Sequence, residues 1–107
     1  MTIIDLTIAK QHLRVEGADD DAIIEVYLGA AEEAASSFMG RLIYPDEAAI
    51  PTDSTGVAIT FAIKAAVLLT LGHLYANREN VVIGTSSSRL PFGALSLLEP
   101  YRIGLGV

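Results

Sequence analysis

The chain contains no cysteine. That absence excludes a disulfide framework, a thiolate metal site and a cysteine nucleophile. Histidine is nearly as scarce: His12 and His73 stand apart, without HExxH-type spacing or the further grouped ligands a zinc site needs. Basic residues number 7 against 13 acidic, giving a net charge of -6, and they are scattered singly from Lys10 to Arg102. Tight binding of nucleic acid neutralises phosphates with clustered Lys and Arg, so DNA is not a firmly held ligand here. The glycines match neither a phosphate loop nor a dinucleotide fingerprint. Ser86, Ser87 and Ser88 lack the sharp strand-to-helix turn of a nucleophile elbow. Met1-Thr2-Ile3-Ile4-Asp5 has neither the basic start nor the long apolar core of a signal peptide, and the expectation is a chain made and kept in a cytoplasm. No catalytic constellation emerges, and no cofactor or metal is expected.

What is present is apolar material. Of 107 residues, 51% belong to the hydrophobic set, which excludes a disordered acidic tail. The length fits one domain spanning residues 1–107. A domain of this size buries about two-thirds of its unfolded surface, so a surplus of apolar residues points to an oligomer subunit or to contact with a membrane.

Hydrophobic spacing places the elements. Thr7 reads as an N-cap for a short helix over residues 8–14, broken at Glu16-Gly17-Ala18. Asp19-Asp20-Asp21 precedes a long periodic run and reads as helix capping. A calcium loop would need alternating ligands, a glycine turn and a distal Glu. Over residues 21–39, Ile23, Tyr27, Ala30, Ala34 and Phe38 fall on one side beside Ile24, Leu28, Ala31 and Ala35; Glu25, Glu32 and Glu33 take the other, solvated face. Gly40 terminates this helix in the left-handed position. Residues 41–56, with Pro45 and Pro51, form a connector that holds a possible extended piece at Leu42-Ile43-Tyr44 and the next N-cap at Asp53 or Ser54.

Residues 57–76 form the most apolar stretch, 15 of 20. Length alone would permit a membrane span. Lys64 sits near its centre, however, where a bilayer penalises lysine by roughly 2.5–3.5 kcal/mol on insertion scales. The better reading is the central helix of a bundle or assembly. Val81-Val82-Ile83 suits a short strand, residues 84–88 a mobile polar loop, and residues 94–99 a last helix stopped by Pro100. The fold class is all-α: a small helical bundle of two long helices with short N- and C-terminal helices, plus one mobile loop or short β segment. His12, beside Lys10 and Arg14, reads as solvent-exposed, and His73 as a packed or capping residue. Leu97, Leu98, Tyr101 and Arg102 are interface candidates, since Tyr and Arg are enriched at binding hot spots. They could equally tuck back onto the bundle.

Particular strings add a resemblance. Lys10-Gln11-His12-Leu13-Arg14-Val15, the Asp19-Asp20-Asp21 start with Ile23-Ile24, Phe38-Met39-Gly40-Arg41, Tyr75-Ala76-Asn77-Arg78-Glu79, Leu90-Pro91-Phe92-Gly93 and Leu97-Leu98-Glu99-Pro100-Tyr101-Arg102 follow one another in order. Together they resemble the head–tail connector (adaptor) proteins of tailed phages. The resemblance implies a small helical virion protein, from a phage or prophage, that forms a homo-oligomeric ring, commonly of about twelve copies in closed symmetry. Such a ring lies beneath the portal protein, meets a stopper or tail-completion protein, and extends the channel through which DNA passes without specific binding. By position, Leu97, Leu98, Tyr101 and Arg102 belong to the part that docks to the portal. Val81, Val82, Ile83 and Arg89 belong to a variable loop between subunits. The expected location is the head–tail interface of the virion, with the host cytoplasm during assembly and no membrane. Glu25, Glu32 and Glu33 are candidates for the channel side. A small helical adaptor or regulatory subunit of a cytoplasmic complex would show the same apolar excess. An enzyme using His12 or His73 with nearby carboxylates is the third reading.

Overall fold

The computed structural model describes residues 2–52, 54–76 and 90–103. The expected strand at Val81-Val82-Ile83, the loop after it, Arg89, Asp53 and residues 104–107 lie outside them.

Helix α1 runs over Leu6–Leu13. It starts two residues earlier than the spacing suggested, so Thr7 lies inside its first turn, and no side chain caps it; Asp5 occupies the N-cap position. The end is set by Arg14, at φ 62, whose backbone N–H donates to Gln11 and Lys10 carbonyls. Left-handed conformation at a helix end satisfies carbonyls that the next turn would have taken.

Helix α2 spans Asp21–Met39, as its periodicity indicates. Of the two adjacent apolar columns, only the second is buried: Ile24, Leu28, Ala31, Ala35 and Met39. Ile23 and Val26 remain 40% and 61% exposed. Gly40, at φ 71, ends the helix and donates its N–H to Ser36 O at 2.8 Å. The C-terminal segment then closes that end, with Ile103 N donating to Met39 O at 2.9 Å.

Strand β1 (Ile43–Tyr44) confirms the extended piece expected there, and pairs in parallel with β2 (Val57–Ala58) in the register Ile43↔Val57 and Tyr44↔Ala58. Parallel pairing requires a connection long enough to cross back. The intervening residues 45–56 supply it, with a 3-10 turn over Glu47–Ala49 capped by the Asp46 carboxylate, which accepts from Ala49 N at 3.0 Å.

Because Val57 and Ala58 are taken by the sheet, helix α3 covers Phe61–Ala76 and starts four residues later than its composition suggested. Its cap is Thr60, whose Oγ1 accepts from Ile63 N at 3.2 Å. Ser54 does not cap it; the Ser54 hydroxyl instead accepts from Gly56 N at 2.9 Å. Ile63, Ala66, Val67, Thr70 and Leu71 are buried, and Thr70 satisfies its hydroxyl on Ala66 O at 2.9 Å. α3 packs against α1, α2 and helix α4 (Phe92–Leu98), most extensively against α2 and α4. Among the described residues no helix is long and apolar enough to cross a membrane. α4 begins two residues earlier than expected but ends at Leu98, just ahead of Pro100, which has no N–H to extend the helix; a 3-10 turn over Glu99–Tyr101 follows. Buried Ala9, Ala31, Ala35, Ala66 and Ala94 let the helices approach closely around Ile4, Leu28, Met39, Leu71 and Leu98.

Candidate interaction surface

Three of the carboxylates read from sequence as caps or solvated charges are tied into the tertiary structure. Asp20 occupies the N-cap of α2 without a capping bond; its Oδ2 accepts from the Tyr75 hydroxyl at 2.6 Å. Asp21 lies 2.7 Å from Lys10 Nζ, joining the start of α2 to α1. Glu32 accepts from Ile3 N at 3.1 and 2.9 Å and from Ile4 N at 2.8 Å. It is therefore a clamp on the N-terminal segment and not a free charge on a solvated face. Glu25 is half-buried and Glu33 exposed. Beside the clamp an open groove of about 490 Å³ runs between α2 and β1, lined by Gly29, Glu33, Ser37 and Leu42 among others.

At the other end of α2, Arg41 gathers the connector and the C-terminal segment. Its Nε donates to Thr55 O at 2.8 Å, Nη2 to Gly56 O at 3.3 Å and Nη1 to Tyr101 O at 3.3 Å. Gly56 is needed there, because a Cβ would lie 2.2 Å from the Tyr44 ring. The sequence offered one signal for Arg41: a guanidinium directly after a helix-ending glycine is placed to serve free carbonyls.

The four docking candidates separate by environment. Leu98 is fully buried and belongs to the core. Leu97 is half-buried against that core. Tyr101, also half-buried, accepts at its phenol oxygen from the Thr60 hydroxyl at 3.3 Å. Arg102 is exposed, its guanidinium 4.5 Å from the centre of the Phe38 ring. Leu97, Tyr101 and Arg102 therefore follow one another along a segment whose inner side Leu98 anchors.

The largest exposed apolar residues were not singled out from sequence. Phe61 is 88% exposed at the start of α3 and Phe92 83% exposed at the start of α4; Leu42, Val26 and Ile23 are also exposed. Phe61 lies within a run that is apolar on nearly all sides, where periodicity carries no facing information. Lys64 Nζ stands 6.0 Å from the Phe61 ring centre, one helical turn on.

His12 is exposed, with its ring beside Gly72, and His73 is half-buried on α3. Among the described residues no group of three or more His, Asp or Glu side chains is placed to hold a metal ion.

Comparison with known proteins gives no match among curated proteins and none among solved structures. A family model, described as phage gp6-like head-tail connector protein, matches residues 3–102. That match covers every described helix, both strands and the closing segment 97–102. The chain, mainly helical over its described residues, belongs to the phage gp6-like head-tail connector family.

Proposed function

We propose that this single-domain chain is a structural virion protein that assembles into a closed ring, joins the capsid portal to the tail or its stopper, and extends the DNA exit channel. The observation that carries the reading is the family match over residues 3–102. Phe61 and Phe92, 88% and 83% exposed, support it, since aromatic side chains are enriched where partner proteins bind. The net charge of -6 with scattered basic residues suits a wall that DNA passes without adhering. A ring whose lumen is lined by Lys and Arg would contradict that part.

The segment carrying Leu97, Tyr101 and Arg102, anchored by Leu98, docks on the portal in this proposal. Val81, Val82, Ile83 and Arg89 contribute contacts between subunits, so deleting residues 81–88 weakens ring formation; unchanged assembly would remove Val81, Val82 and Ile83 from the interface. The test of the whole reading is mass in solution, for the chain alone and mixed with purified portal. Assembly into rings on the portal supports it, and a persistent monomer in both conditions refutes it. The portal and tail-side partners place the chain at the head–tail interface of the virion.

A further inference from the structure

Among the described residues nothing packs on the outer side of α2. Ile23, Val26, Ala30, Glu33 and Ser37 are exposed along it, and at about 100° per residue they lie opposite the buried Ile24, Leu28 and Ala35. Because the inner side of α2 packs on α3, this stripe points away from α3. A second unpartnered patch sits at the start of α3, where Phe61 projects beside Lys64 and a shallow groove of about 260 Å³ is lined by Ile59, Thr60, Phe61 and Lys64. Neither Glu33 nor Lys64 forms an ion pair with another described residue.

The two patches match in spacing and in charge. Phe61 and Lys64 are three residues apart on α3, and Ala30 and Glu33 are three residues apart on α2. Side chains at that spacing are neighbours on a helix face, about 5–6 Å apart at Cβ. Laying one helix along the other sets the Phe61 ring over the small Ala30, against Val26, and brings the Lys64 ammonium to the Glu33 carboxylate. Burial of the apolar pair around them lowers the local dielectric and strengthens the attraction between the two charges, against the cost of desolvating them. The patches are different surfaces on different elements and can be occupied at once. A contact that joins unlike surfaces propagates from copy to copy and closes into a ring when the rotation permits.

We propose that the occupant of the α2 outer face is a second copy of this chain, whose Phe61 and Lys64 seat on Val26, Ala30 and Glu33. This rests on the ring reading and names its contact. It places Glu33 between subunits and not at the channel wall.

The test is a charge exchange read by sedimentation velocity or native mass spectrometry. Glu33→Lys and Lys64→Glu each weaken assembly of the full chain, with or without portal, by at least about ten-fold, and the double variant recovers to within a few-fold of wild type. Phe61→Ala gives a similar loss with unchanged helical circular dichroism and melting temperature, because Phe61 contributes almost nothing to the monomer core. Wild-type assembly by all of these variants, or damage in both single variants without recovery in the double, overturns the contact while leaving the ring intact. A wild-type chain that stays monomeric even with portal overturns both.

Discussion

Removing the Glu32 carboxylate should untie the N-terminus from α2. Its oxygens accept from Ile3 N and Ile4 N at 2.8–3.1 Å, and Ile4 is 2% exposed in the core. Net contributions of hydrogen bonds to a charged acceptor run at about 1.5–3 kcal/mol. In Glu32→Ala the two amides must either stay in place without that acceptor or pull out to water. Pulling out withdraws Ile4 from the core, a loss of about 1.5–3 kcal/mol for a side chain of that size. The chain takes whichever alternative is cheaper, so the expected destabilisation is about 2–3 kcal/mol. Against a domain stability of about 5–15 kcal/mol this is a large fraction, and it corresponds to a fall of roughly 10 °C or more in melting temperature. Glu32→Gln keeps one acceptor oxygen but turns an N–H donor toward the backbone amides, and should fall between wild type and Glu32→Ala. Urea unfolding followed by circular dichroism gives the magnitudes, and amide exchange at Ile3 and Ile4 gives the location. A Glu32→Ala change under about 0.5 kcal/mol with unaltered exchange at both amides would refute the clamp.

Further outcomes follow from particular contacts. Leu98→Ala should lower stability by about 2–5 kcal/mol in a urea melt, as for other leucines removed from a packed core, whereas Arg102→Ala should lower it by about 1 kcal/mol or less, its exposed cation–π contact with Phe38 being weak; equal effects would contradict the separation of these two residues. Gly40→Ala combines a left-handed φ of 71 with a Cβ 3.0 Å from Ile103 O, while Gly17→Ala meets only a left-handed φ of 84 in open space. The Gly17 change should cost about 1–2 kcal/mol and the Gly40 change more, with loss of exchange protection at the Ile103 amide. Thr60→Ala should cost about 1 kcal/mol through the lost cap of α3; Thr60→Ser, which keeps the hydroxyl, should recover most of it.

Much of this fold is legible in the residues, and the misplaced parts share a cause. Helix α2 could be bounded from sequence because its start, its periodicity and Gly40 are all local. Ile23 and Ile24 stand only about 100° apart on that helix, so which column is buried depends on where α3 lies. Composition alone does not mark the start of α3, because Val57 and Ala58 continue an apolar run that is neutral between helix and strand. Their pairing with Ile43 and Tyr44 decides the matter, and that partner is more than a dozen residues away. Asp20 and Asp21 have the chemistry of caps, yet Tyr75 and Lys10 claim their oxygens. Capping statistics describe local competition and do not see such distant donors. At the surface the same limit applied. Leu98 and Phe61 are equally apolar as letters, and only packing sends one into the core and leaves the other 88% exposed.

The claim that this connector-family chain works as a ring subunit is tested most directly by the mass of its complex with the portal, measured by native mass spectrometry beside the chain alone. The expected result is a closed assembly of identical copies bound to the portal, with a single mass that exceeds that of the portal alone by one fixed whole multiple of the subunit mass. A single unassociated subunit, both alone and in the presence of portal, would contradict it.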